Sequence, residues 1–306
     1  MATRTELNKE KQNKIIAEEM REKRKKIVLK TLKIMLLIVL IMSSSFIYIT
    51  YVSNKKIIVN EKRIVSKNLP SNFDGLKIIQ LSDIHYGTTI YKKELVEIVK
   101  LINERNPDLV VFTGDLIDKN YKMKLNEKED LTKILKKIHE SIGKYAVDGD
   151  EDSDEFTTIL NQSEFTILNN SYELIYNKNN TPIMITGVSS SLNNKIDVDK
   201  AFEYFNTPNF DSKIFTITLT HEPDNTEEIL NKYKSDLILA GHSHNGQIRI
   251  PYIGNLLKKS GAKKYNNDFY RIKNTELYVS NGLGTNGNGI RLFTHPSINF
   301  FRISSK

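Results

Sequence analysis

Four of the six histidines in this chain of 306 residues fall directly after short apolar runs, and acidic residues fall in the same kind of place. Leu76–Leu81 (LKIIQL) leads into Ser82-Asp83-Ile84-His85, and Asp108–Phe112 (DLVVF) into Thr113-Gly114-Asp115. Tyr145–Val147 (YAV) leads into Asp148-Gly149-Asp150-Glu151-Asp152. Ile214–Leu219 (IFTITL) ends at Thr220-His221-Glu222, and Asp236–Ala240 (DLILA) at Gly241-His242-Ser243-His244. A single Asp or His at such a place is usually a cap or a surface residue. Five in register suggest a dinuclear metal site. Carboxylate and neutral imidazole suit Mn, Fe, Zn, Ni or Co, and without thiolate the softer choices drop out. Two ions roughly 3.5–4 Å apart lower the pKa of a shared water and clamp phosphoryl oxygens. Glycines at 114, 149 and 241 let the backbone turn where a ligand must project.

The apolar runs, with Ile183–Val188 (IMITGV), are short and β-branched-rich, as in strands buried on both faces. Helical spacing predicts helices over Lys92–Asn106, Glu129–Ile142 and Asn225–Lys234, and Lys56–Ser66 and Leu277–Ile303 read as strands at the two ends. The order predicts an α/β layered domain around a largely central sheet, with its ligands at the carboxyl ends of the strands. His139, in the charged stretch KKIHES, and His295, before Pro296, read as surface and loop residues. Asn245 and Gln247 read as a turn and a strand start, with a substrate contact as the sharper alternative. The Gly-rich 282–289 stretch reads as a turn that could approach phosphate.

Taken together, Asp83-x-His85, Gly114-Asp115, the lone His221 and Gly241-His242-x-His244 resemble the calcineurin-like metallophosphoesterases over roughly residues 73–306. GHSHNGQIRIP (241–251) and NGLGTNGNGIRLF (281–293) resemble the bacterial membrane-associated branch of that family. The resemblance implies a four-layer α/β/β/α sandwich. It implies one metal on Asp83, His85 and His244, a bridging Asp115, and a second metal on His221, His242 and residue 150. It further implies in-line attack on phosphorus by a metal-bridging hydroxide, with no covalent enzyme intermediate.

One motif departs from the family pattern. Where the family has Gly-Asn-His followed by Asp or Glu, this chain has Gly149-Asp150-Glu151-Asp152. Asp150 stands in place of a neutral ligand, and Glu151 in place of a His that assists the leaving group. Two dications, three carboxylates and a hydroxide sum to zero charge, against +1 with Asn. That balance predicts a preference for phosphodiester or diphosphate-ester substrates over dianionic monoesters, or a trivalent iron in one position. Glu151 beside metal cations should ionise and serve poorly as an acid unless burial raises its pKa. The bland reading of the acidic run 148–155 is a solvated loop and weak catalysis.

Ile34 to Val52 is a run of nineteen uncharged residues, long enough as a helix to span about 28 Å. Six Lys/Arg between residues 23 and 33 precede it, so the positive-inside rule places the N-terminus in the cytoplasm and the remainder outside. The run exceeds the apolar core of a cleaved signal peptide, and Ser43-Ser44-Ser45 sits inside it rather than after it. The expected organisation is a basic cytoplasmic tail at 1–26, a transmembrane signal anchor at 27–53 and a metallophosphoesterase domain at 54–306. The tail reads as solvated, or as an amphipathic helix near anionic lipid.

Residues 1–53 carry a net charge of +6 and residues 54–306 only +2, so the overall +8 is no nucleic-acid footprint. Having no cysteine, the chain has no disulfide, thiolate zinc site, iron–sulfur cluster or thiol nucleophile. The leading reading is an anchored, outward-facing phosphoesterase acting on a phosphodiester or pyrophosphate bond near the membrane, with a lipid-linked compound among the candidate substrates. Its rivals are a general phosphomonoesterase or nucleotidase, and a catalytically weak metal-binding ectodomain.

Overall fold

The computed structural model describes residues 4–48, 56–208, 210–250, 254–255, 258–286 and 289–305. The chain forms two compact units, 1–49 and 50–306. The first holds one continuous helix, α1 (Arg4–Ile47), which is exposed throughout and long and apolar enough to cross a membrane. Helix continues through the charged stretch as well as the apolar one, so the tail is helical from Arg4 onward. Residues 49–53 of the expected anchor lie outside the described residues.

The second unit contains two six-stranded sheets. The first runs β1 (Ile58–Val65), β14 (Ser297–Ser304), β2 (Leu76–Leu81), β3 (Leu109–Thr113), β4 (Gly143–Val147) and β5 (Thr166–Ile167). The second runs β12 (Phe269–Ile272), β13 (Thr275–Val279), β9 (Leu237–Ala240), β8 (Thr216–Thr220), β7 (Ile183–Val188) and β6 (Ser171–Ile175). A two-stranded ribbon of β10 (Arg249–Ile250) and β11 (Gly254–Asn255) lies outside both. β2 to β5 are parallel, as are β7, β8, β9 and β13. The carboxyl ends within each sheet are therefore aligned.

Alternation along the strands builds the layers. Ile78, Leu109, Val111 and Val147 of the first sheet pack against Ile185, Ile217, Leu219 and Leu239 of the second. The opposite faces of the first sheet, Ile79, Leu81, Val110 and Phe112, meet α2 (Lys92–Asn103), α3 (Leu125–Leu135) and α4 (Asp154–Gln162). Met184, Ile238 and Val279 of the second sheet meet α5 (Val198–Ala201) and α6 (Thr226–Lys232). The result is a four-layer α/β/β/α sandwich. A strand covered by helix on one face and sheet on the other is apolar on both, which is why the runs lack a period of two.

The structure differs from the sequence expectation in three places. There are two large sheets, as the family resemblance implies, rather than the one central sheet that the order of strands and helices suggests by itself. α3 begins four residues before Glu129 and ends at Leu135, and the segment after it turns into β4. The acidic run is only in part a loop: Ser153 caps α4, its hydroxyl accepting from the Glu155 amide, and Asp154 and Glu155 occupy the first turn. Acidic side chains there complement the helix dipole and the free amides.

Candidate functional site

Pairing of the strands brings the sequence candidates to one edge. Leu81 pairs with Phe112 and Thr113 with Val147, so the segments carrying Asp83, Asp115 and Asp150 emerge side by side. In the second sheet Thr220 pairs with Ala240, aligning His221 with the segment carrying His242 and His244. Beneath the junction, buried Gln80 donates from Nε2 to Thr113 Oγ1 (3.1 Å) and to Ala240 O (2.9 Å), clipping one sheet to the other.

Among the described residues two non-overlapping clusters of possible metal ligands form there, Asp83, His85 and His244, and Asp115, Asp150, His221 and His242; a third grouping, His85, Asp115 and Glu151, draws on both and adds Glu151. In the first, His244 Nε2 is 3.2 Å from Asp83 Oδ1 and 3.1 Å from His85 Nε2. In the second, Asp150 Oδ1 is 3.1 Å from His221 Nε2 and 2.8 Å from His242 Nδ1. Asp115 lies between them. Its Oδ2 is buried without a hydrogen-bond partner, 3.5 Å from His85 Nε2 and 3.2 Å from His221 Nε2. Its Oδ1 accepts from the Glu151 amide at 2.9 Å, which holds the carboxylate with Oδ2 facing both clusters. An orphaned carboxylate oxygen between two imidazoles is costly without a cation. The donor set fits two metal ions, with Asp115 placed between the two clusters.

The backbone and neighbouring groups aim these ligands. Asp83, His85, Asp115, His242 and His244 all have φ between 41° and 63°. This left-handed region is sparsely used by such residues and collects at functional sites. Gly114, at φ +87°, could not carry a side chain, because a Cβ would lie 2.5 Å from His221 Nδ1. The ring nitrogens facing away from the clusters set the tautomers. His221 Nδ1 lies 2.6 Å from Thr113 O and His242 Nε2 2.6 Å from Ser260 O, so both carry hydrogen there. That leaves His221 Nε2 and His242 Nδ1 with free lone pairs inside the cluster. Asp83 is oriented by Ser82 Oγ (2.5 Å) and by the His242 amide (3.0 Å).

Electrostatics within the cluster are strong. Burial pushes the Asp83 carboxyl up, but His244, His221 and His85 outweigh it and hold it well below the usual range. Burial likewise opposes His221 and His242 at Asp150, and the imidazoles prevail. His221 is raised far above an ordinary histidine, since Asp115, Asp150 and Asp83 outweigh its burial. His244 is pushed down to about 3 by burial and by Lys259, against the attraction of Asp83. These carboxylates are kept ionised among imidazoles, in a place where bound cations would take over from protons.

The rest of the acidic run divides into distinct roles. Asp148 joins the sheets, accepting from the Ser190 amide (2.9 Å) and Asn194 Nδ2 (2.5 Å). Asp152 accepts from the amides of Asp115 (2.8 Å), Leu116 (2.9 Å) and Gly149 (2.8 Å). Burial and the nearby Asp115 push Asp152 up to about 7 despite those bonds. Glu151 has a side chain only 1% exposed, with Oε2 3.4 Å from His85 Nδ1 and 3.2 Å from the Lys119 amide. Its Oε1 accepts from Asn286 Nδ2 (2.9 Å) and pairs with Lys119 Nζ (3.3 Å). Burial opposes, but His85 and Lys119 hold Glu151 down to about 2. Glu151 thus faces the side of the His85 ring turned away from Nε2, which points to His244 and Asp115.

The Gly-rich stretch, Asn245 and Gln247 singled out in the sequence help to build the site, and Arg291 is a residue of it that the sequence reading missed. Leu283 N donates to Ser82 O (3.0 Å) and Gly284 N to Asp83 O (2.7 Å), laying the Gly-rich stretch along the first ligand segment. Gly282, at φ +70°, leaves no room for a Cβ, which would lie 2.9 Å from both Asp83 Cβ and His244 Nδ1. The fully buried Arg291 fixes this strap, its guanidinium donating to the carbonyls of Asn281 (2.8 Å), Gly282 (3.0 Å) and Gly284. Gln247 joins it by donating to Ile290 O at 2.8 Å, and Asn245 accepts from Arg249. His139 is exposed, as the sequence suggests. NGLGTNGNGIRLF was visible as a motif, but its buried arginine was not distinguishable from a surface one.

The family described as calcineurin-like phosphoesterase matches residues 76–246, more than half the chain. An uncharacterised metallophosphoesterase of Bacillus subtilis, YkuE, is 29% identical over 263 residues, covering 84% of this chain and 89% of that protein. The UDP-2,3-diacylglucosamine pyrophosphatase LpxG of Chlamydia trachomatis is 26% identical, covering 77% of this chain and 86% of its own. A zebrafish (Danio rerio) transmembrane protein with a metallophosphoesterase domain is 27% identical over 78% of this chain, which spans 56% of that protein.

Proposed function

Since the chain belongs to the calcineurin-like phosphoesterase family and is a metal-dependent phosphoester hydrolase, we propose that it cleaves phosphodiester or pyrophosphate bonds at a dinuclear centre on a membrane-anchored domain. The observation that carries this reading is the buried, unpartnered Asp115 Oδ2 between the two ligand clusters. Asp83, His85 and His244 would hold one ion, His221, His242 and Asp150 the other, and Asp115 both. Mn, Fe, Zn, Ni and Co all suit this oxygen and nitrogen set. Two such ions supply an activated water and positive charge for the phosphoryl oxygens.

The protein's own groups do the remainder. Asp115 is presented by the Glu151 amide, Asp83 by the His242 amide, and both outer imidazole nitrogens of the second cluster are tied to carbonyls. Glu151 is held ionised and engaged on both oxygens, which supports a positioning role on His85 over proton donation to the leaving group. The Asp150 charge supports monoanionic substrates, since a dianion meets no net attraction from three carboxylates, a hydroxide and two dications.

One feature supports a lipid-linked substrate. LpxG is named for a pyrophosphatase reaction on an acylated sugar nucleotide, and this chain matches it over 77% of its length. The basic residues before the apolar run support a cytoplasmic N-terminus and an external domain.

The test is Mn²⁺-dependent hydrolysis of bis-p-nitrophenyl phosphate beside p-nitrophenyl phosphate by the full chain in detergent, with Asp115→Asn and His242→Ala as controls. Diester turnover lost in both variants supports the reading, and faster monoester turnover with two divalent ions opposes the substrate preference. The departure at Asp150 and Glu151 also favours a second reading, a metal-binding ectodomain with feeble catalysis. Two bound ions with no turnover of either compound would select it.

A further inference from the structure

A cavity of about 720 Å³ opens at the end of the second sheet away from the metal ligands. It is lined by Thr216 and Thr275, the first residues of β8 and β13, and by Asp236, which precedes β9. The ligands follow the last residues of β8 and β9, so a strand length of about 15 Å separates the two regions. The volume lies in the range of small-molecule sites, roughly 300–1,000 Å³.

Its lining is cationic. Five lysines border it, against two acids, in a domain whose net charge is only +2. Lys232 pairs with Asp199 and Lys264 with Glu227. Lys213, Lys234 and Lys273 are exposed and have no ion-pair partner among the described residues. The acid at the base, Asp236, has its oxygens occupied by Asn68 Nδ2 (2.7 Å) and the Thr216 amide (2.9 Å). Beside these, Thr226 is fully buried and its hydroxyl has no hydrogen-bond partner, although it lines the cavity. The remaining wall includes Phe205, Tyr233 and Tyr265. Free cations and a ring-bearing wall are the complement of an anion with an apolar or planar body.

We propose that this cavity is an accessory binding site for a small phosphate ester, separate from the metal centre, with Lys213, Lys234 and Lys273 holding the phosphate and the aromatic wall its organic part. Soluble nucleotides and lipid headgroups both offer that chemistry. The site does not depend on which bond the metal centre cleaves.

Equilibrium dialysis of the full chain in detergent with EDTA, which removes hydrolysis and metal-bridged binding, reads the site directly. The probes are ADP, glycerol 3-phosphate as the headgroup surrogate, and inorganic phosphate. The expected result is one saturable site for an ester, tighter than for inorganic phosphate and weakened by salt. Combined Lys213→Ala, Lys234→Ala and Lys273→Ala replacement, all at exposed positions, raises its Kd at least tenfold, while Asp115→Asn leaves it unchanged. Preference for ADP points to a soluble nucleotide and preference for glycerol 3-phosphate to a headgroup, and either supports the site. Absence of saturable binding up to 10 mM, an unchanged Kd in the triple variant, or loss in Asp115→Asn overturns it.

Discussion

Glu151 Oε2 stands 3.4 Å from His85 Nδ1, on the far side of the ring from the nitrogen that faces His244 and Asp115. A carboxylate behind a ligating imidazole fixes the ring and raises its basicity, and losing one costs 10–100-fold in metal affinity or activity. Glu151→Gln is therefore expected to weaken occupancy of the first cluster by at least tenfold, measured by Mn²⁺ titration. Its turnover at saturating metal should recover most of the wild-type value. A proton donor would behave in the opposite way: metal content would hold, and kcat would stay low with a changed alkaline limb.

Asp150→Asn keeps an oxygen donor 3.1 Å from His221 Nε2 and removes one negative charge from the second cluster. Unit charges about 4 Å apart interact by roughly 4 kcal/mol at an effective dielectric of 20, so even heavy screening leaves a measurable difference for a dianion. The ratio of monoester to diester kcat/KM should rise by about tenfold or more in Asp150→Asn. A ratio that stays put would show that the charge of residue 150 does not select substrate.

Arg291 supports a ligand segment it never touches. Its guanidinium holds three carbonyls of the strap that bonds Ser82 O and Asp83 O. Arg291→Met leaves the Asn281 and Gly284 carbonyls without a donor, while Gly282 O keeps the Ser297 amide, at about 1–3 kcal/mol for each that finds no water. A clear fall in thermal stability is expected, with weaker Mn²⁺ binding beyond what that loss explains. Gly282→Ala probes the same relationship from the other side: its Cβ would press on Asp83 and His244, so metal affinity should fall while the guanidinium contacts remain. Unchanged metal affinity in both variants would reduce the strap to a purely structural element.

The residues that the fold gathers at one edge were legible because five strand ends each carried a chemically loaded residue, and strand ends are where an α/β sheet collects its functional groups. The number of sheets was not. A run such as DLVVF reports that both faces are covered but does not say whether by helix or by a second sheet. In the acidic run the family pattern singled out Asp150 and Glu151 but gave Asp148 and Asp152 no part, yet the fold gives each of the four a different task. Backbone amides and Asn286, 134 or more residues from the run, decide which carboxylate faces what, and no local spacing encodes that. Arg291 and Ser260 act through backbone carbonyls and long-range turns, so residue type alone carried no signal for either.

Asp236 offers a pH test well away from the metal ligands. Burial raises its carboxyl above the usual 3.8, against the bonds it receives from the Thr216 amide and Asn68. Between the unfolded and folded values the native state binds more protons than the unfolded chain, so stability falls as pH rises through that window. At neutral pH the ionised, half-buried carboxylate is then a net cost. Asp236→Asn carries no charge at any pH, and its amide oxygen can still accept from Thr216. The difference in melting temperature, variant minus wild type, should therefore become more positive from pH 4 to pH 7, read by circular dichroism on metal-free protein. A difference that is flat, or that falls with pH, would mean that Asp236 is as comfortable ionised in the fold as in water.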